Sequence, residues 1–323
     1  MARIAAALSK KLLAGEPVVA LETALLSFGL PYPANVEVYR AMEAAVVRSG
    51  ATPAGIALHE GQVHVGLDEH LVERLARAEN ARKCARRDIG WILAGGLDGA
   101  TTVSSTLWLA HRAGIRVFAT GGIGGVHPGA HGPPDVSADL ATMAEVPMLL
   151  VSAGTKSICD PDATAELLEA LSVPVVGLGV DRFPHFYAGP SRTAIPQVAT
   201  PRDAAHTFQA HRAHGGTGTL LLANPAPAAH RLDPALLARL TASGAAAAAK
   251  ARVSGNALTP YLLDYLAKKT AGRSVTANRA LLIDNARVAG LVAVELAKLE
   301  RPVTSRPSRA SGTSRASPSR RTR

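Results

Sequence analysis

Five short apolar runs, Val18 to Leu21, Ile115 to Ala119, Val146 to Ser152, Val173 to Gly177 and Thr219 to Ala223, recur along the chain with helix-patterned stretches between them. Each run is continuous rather than alternating, so each reads as a strand buried on both faces. Strands of that kind belong to α/β folds, in a largely parallel sheet covered by helices on both sides. The pattern predicts helices over 36–49, 69–83, 101–113, 138–145, 160–171, 234–251, 260–270 and 276–299. A hairpin is expected over 55–67, turning at His59-Glu60-Gly61-Gln62.

No repeat or linker divides residues 1–300, so one catalytic-sized domain is expected there. A 323-residue chain that is 47% hydrophobic has enough apolar side chains to fill its core. Residues 301–323 differ in kind: Arg, Ser, Pro and Thr dominate, no acid is present, and little can be buried, so a disordered tail is expected. That tail holds seven arginines of a formal charge of +10, leaving +3 for everything before it. The body is therefore close to balance, and a specific nucleic-acid partner is not expected. Two cysteines, Cys84 and Cys159, lie far apart without metal-ligand spacing, which argues against a disulfide framework or a zinc site. No apolar run approaches the roughly 20 residues needed to span a bilayer, and the first residues lack a signal-peptide core. A cytoplasmic, membrane-free protein is the expectation.

In open α/β sheets, ligands bind beyond the carboxyl ends of the strands. The residues just past each run are therefore informative: Glu22-Thr23 after the first, the glycine loop Thr120 to His127 after the second, Gly154-Thr155-Lys156-Ser157 after the third, and Asn224-Pro225 after the last. Acid, glycine loop, lysine and amide gather at one rim. A lysine is rarely buried without a partner. In apolar surroundings beside a second cation such as Lys83, the amine of Lys156 becomes available as a nucleophile; as a charged ammonium it is instead a phosphate ligand. Glu22 is either a helix cap or, inside an apolar pocket, a general acid whose pKa is raised toward neutrality.

The loop TGGIGGVHPGAHGPPD suits an anion or sugar phosphate better than a dinucleotide, because Pro128, Pro133 and Pro134 prevent the helix that a dinucleotide loop opens. In DVSADL, Ser137 is a candidate N-cap. Asp135 and Asp139 either complement a helix dipole or supply hard oxygen ligands for Mg²⁺ or Mn²⁺. His127 and His131 lie nearby without sharing a helical face with these acids. Lys83, Arg86 and Arg87 are either solvated charge or a phosphate grip, and the hydroxyl-rich GATTVSST (99–106) opens a helix as anion sites often do.

Taken together and in order, VALET, LPYP, KCARRD, GATTVSST, TGGIGGVHPGA, DVSADL, SAGTKSICD, ANPAP and TANRALLIDNA make the chain resemble the pseudouridine-5'-phosphate glycosidase family, also called the indigoidine synthase A family, over about residues 17–299. The resemblance implies a three-layer α/β/α fold with a mixed, largely parallel central sheet, and a homotrimer. It implies reversible cleavage of the carbon–carbon glycosidic bond of pseudouridine 5'-phosphate to uracil and ribose 5-phosphate. Glu22 would be the proton donor and Lys156 the nucleophile that forms an imine with the opened sugar. Lys83, the backbone around Val103, His127, Ser137, Ala138, Asp139 and Asn278 would meet the substrate. Asp135 would carry one Mn²⁺ mostly through water, with Mg²⁺ as a substitute.

Three local words differ from the family's usual LEST, VSRRD and GVHRG: here they are Leu21-Glu22-Thr23-Ala24, Cys84-Ala85-Arg86-Arg87-Asp88 and Val126-His127-Pro128-Gly129. A GKE motif is replaced by Gly255-Asn256-Ala257. Pro128 and Asn256 each remove a charge. The alternatives to the glycosidase are a Schiff-base enzyme acting on another 5-phosphosugar and a non-catalytic sugar-phosphate binder. Retention of both Glu22 and Lys156 argues against the binder, since binding alone needs neither a proton donor nor an imine former.

Overall fold

The computed structural model describes residues 2–77, 80–127, 135–253 and 258–300. The expectations placed on His131, Pro128, Asn256 and the 301–323 tail lie outside these residues. One sheet organises the chain. Its order runs Gln62–Val65, Thr52–His59, Val18–Leu21, Val117–Ala119, Leu149–Ser152, Leu220–Ala223, Val175–Leu178 and Gln197–Val198. From Thr52–His59 to Gln197–Val198 every pairing is parallel, while Gln62–Val65 and Gly99–Thr101 run antiparallel to Thr52–His59. The sheet is thus mixed and largely parallel, and the fold class expected from the sequence is the one observed.

The strand period of two sorts side chains onto two faces. Val19, Leu21, Val117, Ala119, Val151 and Leu222 point into one core, built with the helices Ala34–Arg48, Pro201–Ala213 and Arg273–Glu300. Val18, Ala20, Phe118, Leu150, Leu221 and Ala223 point into the other, built with Val103–Arg112, Ala138–Glu145 and Pro161–Ala170. Burial on both sides is why these runs lack alternation, and it makes the architecture three-layered. The hairpin turns as expected, with His59 paired to Gln62.

Two of the helix expectations need correction at the site. The helix expected over 69–83 is Glu69–Arg77, and Lys83 sits instead on the strand Arg82–Cys84, parallel to Gly99–Thr101. Pairing with a distant segment overrides the local charged pattern there. The helix expected from 101 begins at Val103, because Gly99–Thr101 is that partner strand. Helices Ala6–Leu13, Ala24–Phe28, Ile89–Ala94 and Pro201–Ala213 were not expected. Among the described residues, no helix is long and apolar enough to cross a membrane.

Candidate active site

Because the central strands are parallel, their carboxyl ends share one edge, and the residues just beyond them meet there. Glu22 leaves Val18–Leu21, Thr120 leaves Val117–Ala119, Lys156 lies four residues past Leu149–Ser152, and Asn224 leaves Leu220–Ala223. Thr23, next to the acid, is locked by its hydroxyl, which donates to Ile56 O at 2.8 Å and accepts from Thr101 N at 2.9 Å. Lys156 is held by its backbone N–H, which donates to Ile123 O at 2.9 Å.

Glu22 is buried, and the Thr120 hydroxyl donates to its Oε1. Burial pushes its pKa up; Lys156, the Thr120 hydrogen bond and Lys83 act against that, while Asp139 adds to it. The net result favours the neutral acid, the form able to deliver a proton. Lys83 is held below the ordinary lysine value, first by burial and then by the neighbouring Lys156, against Asp139 and Glu22. Lys83 owes that position to the strand Arg82–Cys84.

Two cavities flank this group. One, about 100 Å³, is lined largely by apolar side chains such as Leu25, Phe28, Phe186 and Leu282, with Glu22 and Asn278 as polar members. The other, about 360 Å³, is more polar and takes in Arg87, Ser104, His127, Asp135, Ser137 and Asp139. Lys83, Thr102, Lys156 and Ile158 line both. The lysines therefore stand where a ligand with an apolar planar end and an anionic end would be divided.

The described part of the glycine loop, Thr120 to His127, is tied to its neighbours through part of its backbone. Several of its N–H groups are already satisfied: Ile123 N donates to Gly154 O, Gly124 N to Asp139 Oδ2 at 2.8 Å, and Val126 N to Thr164 Oγ1 at 3.0 Å. Gly124 is required by close approach, since a Cβ there would collide with Ser137 Oγ and lie 2.9 Å from Asp139 Oδ2. Gly154 is required twice over, by φ of +76° and by the Pro184 carbonyl that a Cβ would strike.

Asp139 has a structural part besides its place at the cavity. It lines the polar cavity, but Oδ1 accepts from Ser104 N at 2.9 Å and Oδ2 from Gly124 N. Its carboxylate clamps the glycine loop to the start of Val103–Arg112, one N–H on each oxygen. Ser137 is the N-cap, accepting from Asp139 N at 3.2 Å, and Ala138 opens the helix beside it. Val103 turns its side chain into the core, so only its backbone, between the cavity-lining Thr102 and Ser104, is placed near the site. Arg86 is turned away, paired with Glu145 at 2.6 Å and stacked on Trp108 at 4.0 Å, whereas Arg87 stays at the cavity.

Asp135 pairs with His127 across a short antiparallel ladder, its Oδ2 3.7 Å from His127 Nδ1, and its side chain is 71% exposed. No described group of three or more His, Cys, Asp or Glu side chains is arranged to hold a metal. A divalent ion that keeps most of its waters needs only one such carboxylate and room beside it, and Asp135 on the 360 Å³ cavity offers both. His127 is protonated more readily than an ordinary histidine, chiefly through its contact with Cys159, whose Sγ lies 3.7 Å from Nε2, with burial opposing.

Thr120 belongs to the glycine loop but carried no expected role; its position directly after a parallel strand was the available signal. Phe186 and Leu263, on the apolar cavity, had no signal, because they come from segments far from every motif.

A family model described as indigoidine synthase A like protein matches residues 7–295. The pseudouridine-5'-phosphate glycosidase of Herpetosiphon aurantiacus is 48% identical over 283 residues, covering 87% of this chain and 93% of its own. Two solved structures share the fold. A prealnumycin C-glycosynthase in complex with ribulose 5-phosphate superposes with a TM-score of 0.84 at 36% identity, over 93% of this chain and 98% of its own. An indigoidine synthase A-like protein from Thermotoga maritima gives 0.81 at 36% identity, over 88% and 94%. With the matched residues spanning nearly all of the described chain, the protein belongs to the indigoidine synthase A-like family.

Proposed function

We propose that the chain is a pseudouridine-5'-phosphate glycosidase, splitting pseudouridine 5'-phosphate with water into uracil and ribose 5-phosphate, reversibly. The observation that carries this reading is a buried Glu22, its pKa raised by that burial, beside two lysines that line both adjoining cavities, in a chain 48% identical to a glycosidase of that name. The leaving group is a carbon atom, so the reaction needs an electron sink on the sugar and a proton for the base. Lys156 supplies the first by adding as the free amine to C1′ while the C1′–O4′ bond breaks, O4′ taking up the proton that the amine loses. As the bond from C1′ to the base breaks, its electrons take a proton from Glu22 and the sugar is left as an imine. Water then hydrolyses the imine, releasing ribose 5-phosphate and restoring the lysine. The apolar cavity with Asn278 takes the base, and Lys83, Arg87, His127 and Ser137 face the sugar phosphate.

Residues 1–300 act as one catalytic domain in this reading, and the protein works as a cytoplasmic homotrimer. Asp135 would hold Mn²⁺, or Mg²⁺, which when bound neutralises phosphate charge. Asp135→Ala is expected to abolish stimulation by Mn²⁺ while leaving metal-free turnover nearly unchanged. Equal Mn²⁺ response in variant and wild type would reduce Asp135 to a partner of His127.

The deciding assay incubates the full chain with pseudouridine 5'-phosphate and Mn²⁺ and measures uracil by chromatography. Absence of uracil, together with absence of the reverse reaction from uracil and ribose 5-phosphate, would overturn the reading. The solved relative named as a C-glycosynthase with ribulose 5-phosphate favours one other possibility, a related 5-phosphosugar as substrate. A panel of 5-phosphosugars in the reverse direction separates the two.

A further inference from the structure

The C-terminal helix Arg273–Glu300 carries a fully buried amide, Asn285, among Leu281, Leu282, Ala286 and Ala289. Its Nδ2 donates to Thr120 O at 2.8 Å and to Gly121 O at 3.2 Å. Its Oδ1 accepts from Asn224 Nδ2 at 2.9 Å, and Asn224 also donates to Asp284 Oδ2 at 2.9 Å. Asn224 is pinned in turn, its N–H donating to Ser152 O at 2.8 Å. One side chain thus ties the helix to the ends of two strands, Val117–Ala119 and Leu220–Ala223, and Asn224 extends the tie to Leu149–Ser152 between them.

A buried amide costs stability unless its bonds are made, and a leucine of similar size would fill the same space without that requirement. The use of this amide shows in what it holds. Thr120 is fixed through its N–H, donated to Val151 O at 3.0 Å, and through its carbonyl, held by Asn285. With both backbone groups fixed, the Thr120 Cα is held where its hydroxyl reaches Glu22 Oε1. That occupies one carboxyl oxygen and leaves the other to carry the proton.

We propose that Asn285, oriented by Asn224, is a positioning residue for the reaction: by gripping the Thr120 and Gly121 carbonyls it holds the Thr120 hydroxyl on Glu22 and so aims the acid's proton into the cavity. This rests on the reading of Glu22 as the proton donor. Asn285 touches neither substrate nor reacting atoms, so its loss acts through Glu22 alone and leaves imine formation at Lys156 intact.

Asn285→Leu removes both donor and acceptor at nearly constant volume. It is expected to lower kcat between about tenfold and a hundredfold with little change in KM. The pH profile supplies a readout that a merely structural role would not move. The Thr120 hydroxyl stabilises the charged form of Glu22, so loosening it raises the Glu22 pKa, and the alkaline limb of kcat moves to higher pH. The charged groups facing Glu22 are Lys156, Lys83 and Asp139, all unchanged in the variant. Thr120→Val should reproduce the shift. In a Glu22→Gln background Asn285→Leu should cost nothing further, because coupled residues are non-additive.

An unmoved alkaline limb, an unchanged kcat, or a loss that persists in full on top of Glu22→Gln would overturn the proposal. Should Asn285→Leu fail to fold, Asn224→Ala removes only the donor that orients the amide. It is expected to shift the limb in the same direction, and no shift overturns the proposal equally. Failure of the underlying reading looks different: Glu22→Gln in the otherwise wild-type protein would retain full turnover.

Discussion

Lys156→Arg is expected to lose turnover by on the order of a thousandfold or more while remaining folded and still binding sugar phosphate. A guanidinium keeps the positive charge at the junction of the two cavities, but it does not shed its proton and cannot attack C1′. Borohydride added during turnover, or with ribose 5-phosphate and uracil, should reduce the imine to a stable amine in the wild type. Mass spectrometry of peptides should place the sugar-phosphate adduct on Lys156, and Lys156→Arg should carry none. The competing amine is specific. Lys83 shares both cavities and is the lysine whose proton burial loosens, with Lys156 beside it adding to the effect. An adduct found on Lys83, with turnover surviving in Lys156→Arg, would exchange the roles of the two residues.

Glu22→Gln should lower kcat by about 100- to 10,000-fold, the usual worth of a positioned general acid. The amide preserves the shape of the side chain and an oxygen to accept from Thr120, so the loss isolates the proton. Lysine adduct formation should survive, because attack on C1′ does not draw on Glu22. The raised pKa sets the sign of the pH dependence: the protonated acid is the active form, so turnover is present below the pKa in the folded protein and falls as pH rises through it. That falling limb should lie above the ordinary carboxylate value of 4.5 and should vanish in Glu22→Gln. A limb of unchanged position and depth in the variant would remove Glu22 from the role.

The strand runs were legible because burial on two faces leaves a local signature, and Val18–Leu21, Leu149–Ser152 and Leu220–Ala223 fall inside the predicted segments. Some helix ends were equally local. Ser137 caps Ala138–Glu145 as its spacing suggested. The helix Pro201–Ala213 was missed despite a local signal, a proline in its first turn and the reciprocal Thr200–Asp203 cap. Arg82–Cys84 had no such signal: three residues rich in charge become a strand only because Gly99–Thr101 is there to pair with them.

By itself the sequence determined the layered α/β fold and the family, along with the positions of Glu22, Lys156, Asp135 and Ser137 after or beside their elements. Those features rest on short periods, caps and turns, whose causes lie within a few residues. Tertiary structure alone decided what these residues do to one another. It committed both Asp139 oxygens to backbone N–H groups, placed Lys83 where burial acts on it, and brought Gly124 of the glycine loop tight against Ser137 and Asp139. The hydrogen bond from Thr120 to Glu22 joins positions 98 residues apart, and that from Asn285 to Thr120 spans 165. No local period reaches across such distances; the parallel sheet brings them together by stacking the carboxyl ends of its strands at one edge.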